Sequence, residues 1–360
     1  MFTISRRDLV RGVASTAAVV GISGALTSPS ANAAQRITAT EWGNPYLDAI
    51  KKLAAGQSDV DVNWQLYSSG AAAILPKIKA SWPNSGIDLL AGWDVSWRTV
   101  SAEGWAEPVT IEKVPNLAHI PKKLLFKDNA GNIVNIPRTI SSNSWLYRED
   151  QTPFVITKLD DLLDPRLKGK ICFPAPTLQS NLQMISLALH FGGDERNMEP
   201  AWDYMKKLAT SGNIGRIASS DQDIQSSIST GETCVTFLTG TSSVHLQRDF
   251  KLKLLTKMEP ESGFKTFVYQ EGWCVLKGKN SDAAFKLVNF LISPENNGAF
   301  NSAIDGIPTN EQSTASESVK SLMFSDAEMD KFVYVPDWSY IGTQASAWMS
   351  RWEQEIQPLL

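Results

Sequence analysis

The chain has 360 residues, a formal net charge of -4, and only 3 histidines and 3 cysteines. No basic stripe interrupts the mild acidity, which argues against a nucleic-acid partner. Cys172, Cys234 and Cys274 are far apart and each lies in an apolar, strand-like run, so they read as buried free thiols, with one disulfide and a leftover thiol as the alternative; His119, His190 and His245 share no metal-ligand spacing, no cofactor is expected and the metal site is none.

The amino terminus opens Ser5-Arg6-Arg7-Asp8-Leu9-Val10-Arg11, continues through an uncharged small and apolar run from Gly12 to Leu26, and ends Ala31-Asn32-Ala33-Ala34. A basic start, an apolar stretch too short to span a bilayer and an A-x-A site predict a signal peptide over 1–33, cleaved before Ala34. The paired arginines after a serine resemble a twin-arginine export signal; the alternative is an ordinary secretory signal. Both predict a periplasmic protein of 327 residues with no spanning helix and a net charge near -6, since the removed segment carries three arginines and one aspartate. That length suits two domains on a size prior of ~150 residues each.

Strands and helices then alternate. Arg36 to Trp42 reads as a strand, Tyr46 to Ala55 as a helix, Val60 to Tyr67 as a second strand, Ala71 to Trp82 as a helix, and Gly86 to Gly92 as a buried strand. A strand is predicted over Asn132–Ile140, continuing past a polar stop to Tyr147. A short helix follows at Asp160–Leu167 and a strand at Gly169–Pro174. Helices are predicted over Leu178–Phe191 and Glu199–Thr210, and a strand over Thr233–Leu238, closed by a loop at Thr239–Ser243. Further strands fall at Phe267–Tyr269 and Trp273–Leu276, and an amphipathic helix at Ser281–Leu291. This alternation predicts an α/β protein with a largely parallel sheet.

Five pieces carry a family resemblance: Glu41-Trp42-Gly43 at the end of the first strand; Gly86-Ile87-Asp88-Leu89-Leu90; the polar crossover from Thr139 to Tyr147; the turn Asp160-Asp161-Leu162-Leu163-Asp164-Pro165-Arg166-Leu167-Lys168-Gly169-Lys170-Ile171; and the helix Ala283 to Pro294. Together they resemble the extracellular solute-binding proteins of bacterial ABC importers, in the cluster with polyamine-, thiamine- and ferric-iron-binding members. The resemblance implies a type II-like periplasmic-binding-protein fold: two α/β lobes, each a central mostly parallel sheet with flanking helices, closing by hinge motion over a ligand in the cleft. It implies lobe 1 over 34–140 and 275–315, lobe 2 over 141–274, and a C-terminal tail over 316–360 packing across lobe 2. The implied partners are a small-molecule ligand, an inner-membrane permease and, in a variant role, a chemoreceptor; a monomer is expected.

Ligands of open α/β sheets bind beyond the carboxyl ends of strands. That rule selects Trp42, Ser69, Gly70, Trp93, Asp94, Thr177, Gln179, Gly240, Thr241, Ser242, Glu271 and Trp273 as candidate ligand-binding residues. Each has a plainer alternative: the tryptophans cover apolar edges, the hydroxyl clusters cap helices, and the acids are solvated loop charges. Arg138 reads as a surface ion pair in preference to a carboxylate grip. Trp338 and Tyr340 read as packing residues.

The expected ligand is a small polar or charged organic solute, amino-acid-like or opine-like, because the loops are rich in Ser, Thr and Gln and a long dication looks under-neutralised; the alternative is a polyamine. A periplasmic enzyme is the competing class. The chain lacks C-x-x-C, H-E-x-x-H, a G-x-G-x-x-G after a strand and G-x-S-x-G, so a non-enzyme is expected.

Overall fold

A computed structural model describes residues 34–360 apart from residues 44, 67–70 and 177. The expected export signal and the candidates Ser69, Gly70 and Thr177 lie outside the described residues.

The first half of the chain forms β1 (Gln35–Glu41), α1 (Tyr46–Ala54), β2 (Val60–Leu66), α2 (Ala71–Ser81), β3 (Leu89–Trp93), α3 (Asp94–Ala102) and the long β4 (Ile136–Arg148). Then come β5 (Ile171–Pro174), α4 (Leu182–His190), α5 (Glu199–Thr210), β6 (Ile214–Ala218), α6 (Asp221–Thr230), β7 (Val235–Thr239), α7 (Gly240–Gln247) and β8 (Leu252–Leu254). The chain returns through β9 (Thr266–Val275), α8 (Ser281–Leu291), α9 (Pro294–Ile304) and β10 (Ile307–Pro308), and ends with α10 (Asp326–Phe332), β11 (Val333–Tyr334) and α11 (Trp338–Glu355).

The strands form one sheet in the order β2-β1-β3-β9-β4-β7-β5-β6, with β8, β10 and β11 pairing at the sides. Its flanks are parallel, β1 beside β2 and β3, and β5 beside β6 and β7. Its middle is antiparallel, because β9 runs against both β3 and β4, and β4 against β7.

Two hydrophobic cores flank that middle. One gathers Ile37, Leu90, Trp97, Ile136, Trp273, Phe285 and Phe300; the other gathers Trp145, Phe173, Trp202, Phe237, Phe267 and Trp352. Thus β4 enters one core at Ile136 and the other at Trp145, and β9 makes the same passage between Phe267 and Trp273. What lies between is polar: Arg138, Thr139, Ser141, Ser142 and Asn143 on β4, Gln270 and Glu271 on β9.

Several local expectations change. The helix expected at Asp160–Leu167 is two 3₁₀ turns, Leu159–Leu163 and Pro165–Leu167. Pro165 disfavours helical backbone at Asp164, and the Asp164 carboxylate instead accepts from the Arg166 amide at 2.9 Å. The loop expected over Thr239–Ser243 is the start of α7. There the Ser243 hydroxyl returns to the Thr239 carbonyl at 2.7 Å. The gap expected between Tyr269 and Trp273 is continuous strand, held by β3 on one side and β4 on the other. The C-terminal helix α11 packs Trp338, Ile341, Trp348 and Trp352 into the second core and also meets α3.

Candidate functional site

The polar middle of β4 and β9 sits where β1, β3 and β7 end. Register fixes the neighbours: Thr139 pairs with Glu271 and Ser141 with Tyr269, while Trp93 pairs with Glu271 from the other side. Residues two apart on a strand share a face, so Tyr269, Glu271 and Trp273 form one row. A bulge between Pro137 and Thr139 sets Arg138 beside this row. The bulge carbonyls are satisfied from the first-core side: Asn297 and Asn301 donate to the Arg138 carbonyl at 2.7 and 2.9 Å, and Thr309 to the Pro137 carbonyl at 2.9 Å. Gly272 is required here, since a Cβ would stand 2.1 Å from the Ile136 carbonyl oxygen.

Arg138 is not a surface ion pair. Both it and Glu41, the last residue of β1, are fully buried, and they join in a two-point bridge at 2.5 and 2.8 Å. Four rings surround the guanidinium, with centroids 4.5 Å (Trp273), 4.7 Å (Phe300), 5.2 Å (Trp42) and 5.6 Å (Tyr46) away. Burial pulls Arg138 toward losing its proton, but Glu41 and Glu271 outweigh it and the pKa rises. Glu271 is pushed up to about 7, chiefly by burial, while Arg138 and the Tyr46 hydroxyl draw it down and Glu41 and Asp221 push it further.

Two further acids converge from the sides. Asp94 opens α3 and accepts the Gln270 amide at 3.0 Å. Asp221 opens α6 and accepts from Thr239 at 2.9 Å and Gln179 at 3.3 Å, and Gln179 accepts in turn from Asn143 at 2.7 Å. Burial raises the pKa of both aspartates. The Tyr269 ring meets Trp93 edge-on at 5.4 Å, and Trp338 closes on Trp93 at 5.2 Å. Burial, then Glu271, raise the Tyr269 hydroxyl, with Asp221 and Asp94 adding to it.

Native proteins leave few buried polar atoms without a partner, because each costs ~1–3 kcal/mol. Here the Thr139 and Ser142 hydroxyls, the Gln270 amide oxygen and one Glu271 oxygen are buried without a protein partner. The same two strands hold three more such atoms, and six others lie off these strands among the described residues, at Trp97, Arg98, Asn181, Gln183, Asn213 and Asn301. Ser180 and Asn181, just before α4, take the left-handed conformation at φ 52 and 62. Strained backbone of this kind clusters at functional sites. Among the described residues, no three His, Cys, Asp or Glu side chains come close enough to hold a metal ion.

Of the sequence candidates, Trp93, Asp94, Gln179, Ser242 and Glu271 are brought together here, with Trp42 beside them against Tyr46 and Arg138. Trp273 is buried beneath Arg138. Gly240 is also buried, and a Cβ there would meet the Ser142 hydroxyl at 2.7 Å, so its part is close packing. Thr241 shares the turn with Ser242, which accepts from Gln225 at 3.3 Å, but makes no such bond itself. Sequence reasoning missed Glu41, Tyr46, Asn143, Asp221 and Tyr269; Trp338, read as a packing residue, does pack in the second core and also meets Trp93. For Asp221 a signal existed: Ser220-Asp221-Gln222-Asp223 precedes Ile224 and Ile228 at helical spacing, and Ser220 caps α6 by accepting the Asp223 amide at 3.1 Å.

The sequence pattern of a family described as bacterial extracellular solute-binding protein matches residues 48–328. No curated protein matches the chain. Among solved structures, an ABC transporter protein from Clostridium perfringens is 22% identical, with a TM-score of 0.69, over 89% of this chain and 100% of that one. The spermidine/putrescine ABC transporter substrate-binding protein from Streptococcus pneumoniae is 17% identical, with a TM-score of 0.67, over 88% and 100%. AgtB from A. tumefaciens R10, solved with agropinic acid, is 16% identical, with a TM-score of 0.63, over 89% and 98%. These likenesses establish the periplasmic-binding-protein fold. No described helix is long and apolar enough to cross a membrane.

Proposed function

The chain belongs to the bacterial extracellular solute-binding protein family, and we propose that it is the periplasmic substrate-binding component of an ABC importer for a cationic organic amine. The observation that carries this reading is that three acids meet the polar middle of β4 and β9: Glu271 lies on β9, Asp94 accepts the Gln270 amide, and Asp221 reaches Asn143 of β4 through Gln179. Arg138 is already bridged to Glu41, and Arg98, one turn along α3 from Asp94, lies over Phe126 at 5.0 Å. With every group ionised, four acids face two arginines. A cation relieves that imbalance and stacks on Tyr269 and Trp93. The polar middle of β4 and β9 is then the ligand cleft, its unpartnered atoms bonding the solute, and the two cores are lobes that close over it by hinge motion.

A second reading, an opine-like or amino-acid-like zwitterion, rests on the amides and hydroxyls of Asn143, Gln179, Thr239 and Ser242. It leaves the solute's carboxylate facing an acid-rich seam. A thermal-shift panel at pH 8 separates the two. Primary amines are expected to stabilise the fold by ~2.7 kcal/mol at a hundredfold excess over Kd and so raise the melting temperature, and sugar–amino-acid conjugates to leave it unchanged. A shift with the conjugates alone overturns the amine reading.

Ser5-Arg6-Arg7 directs export by the twin-arginine route. Changing Arg6 and Arg7 together to lysine should retain the protein in the cytoplasm, as cell fractionation will read; undiminished export would point to an ordinary secretory signal.

A further inference from the structure

The row Trp273, Glu271, Tyr269 advances by about 7 Å per member, two residues of strand rise. Each end has the same chemistry. At the Trp273 end, aromatic rings enclose a cation that Glu41 grips at two points. At the Tyr269 end, Trp93 and Trp338 supply aromatic walls, and Asp94 and Asp221 supply carboxylates. Glu271 stands between the two, acted on by Arg138 from one side and Asp221 from the other. An aromatic box with a carboxylate is the arrangement that recognises an organic cation. In the first box that cation is a side chain of the protein itself.

We propose that Arg138 is a specificity-determining residue: a resident cation that fills one of two adjoining aromatic–acidic subsites, so that the protein selects amines carrying a single charged head group. This rests on the cationic reading above. The guanidinium uses the rings and the carboxylate that a second ammonium would need, and it repels a second charge placed beyond Glu271. The fixed geometry supports a permanent occupant. Arg138 is anchored at a bulge whose carbonyls are held by Asn297, Asn301 and Thr309, and its side chain is wholly buried.

The test compares two probes of the same carbon chain, 1,4-diaminobutane and its mono-N-acetyl derivative, by calorimetric titration at pH 8. The expected result is that the one-charge probe binds more tightly than the diamine. Equal affinity or a diamine preference overturns the resident-cation assignment and leaves the amine reading standing. Binding of neither probe at millimolar concentration removes the amine reading and this inference with it. A second arm uses Arg138→Ala, which empties the first box and keeps the Glu41 carboxylate in it. If it retains a cooperative melt, its preference should move at least tenfold toward the diamine, because the first box then accepts the second ammonium. An unchanged preference in the folded variant overturns the proposal. A variant that does not fold leaves the wild-type comparison to decide.

Discussion

Glu271 stands against Arg138 and Glu41 from β4 and β1, Tyr46 from α1, Tyr269 on its own strand and Asp221 from α6. Its carboxyl titrates at about 7 in the fold against an ordinary 4.5. Between those values the folded protein keeps a proton that the unfolded chain has released. The stability that Glu271 contributes is therefore fully present below pH 4.5 and is lost as pH rises through about 7, on the order of 3 kcal/mol. Urea unfolding at pH 5 and pH 8 measures it. Glu271→Gln should flatten this part of the profile and be the more stable protein at pH 8; an unchanged slope would place the titration on another group. A bound cation favours the ionised carboxylate, so amine affinity should rise from pH 5 to pH 8 with proton release. Asp221→Asn should weaken the amine at least tenfold while leaving stability equal or higher. An amide oxygen still accepts from Thr239 or Gln179, and a buried charge is removed. Equal affinity in calorimetry would take Asp221 out of the site.

At the scale of elements, the two crossover strands hold the site and α11 braces it. Gly272→Ala drives a methyl into the Ile136 carbonyl and should cost more than about 2 kcal/mol, the range for overpacking at a close approach. Trp352 stacks on Phe173 with centroids 5.8 Å apart and is 3% exposed. Trp352→Ala should cost about 3–5 kcal/mol, as for other buried aromatics, and a smaller loss in denaturant unfolding would mean that the tail contributes little to the second core. The same elements mark what the sequence disclosed. The β1, β3, β5 and β7 strands and the amphipathic α8 were legible, because burial imposes short apolar runs on the strands and a helical period on α8. The start of α7 was not: Gly240-Thr241-Ser242-Ser243 has weak intrinsic helix preference, and tertiary contacts with Ser142 and the Thr239 carbonyl decide it. Strand β6 and helix α6 were passed over because Gly215 and Arg216 interrupt the apolar pattern, and with them went Asp221. Glu41 and Arg138 lie 97 residues apart, and only the fold brings β1 onto the bulge of β4.

Among the described residues, one sheet runs through two cores, and a polar stretch of β4 and β9 falls where the chain passes between them. The rule that ligands sit beyond strand ends selected Trp93, Asp94, Gln179, Ser242 and Glu271, which the fold brings to this stretch. The balance of charge there was not anticipated, since Asp94 and Glu271 were selected singly and Glu41 and Asp221 were not selected until the fold set them together. The account predicts that a cation draws the two lobes onto these acids. The most direct test is a crystal structure with a bound one-charge primary amine. The account predicts the ammonium at a hydrogen-bond distance of ~3 Å from at least one carboxylate of Asp94, Asp221 or Glu271, with its carbon chain against Tyr269 and Arg138 still on Glu41. An amine bound away from β4 and β9, or an anionic solute held between those strands, would contradict it.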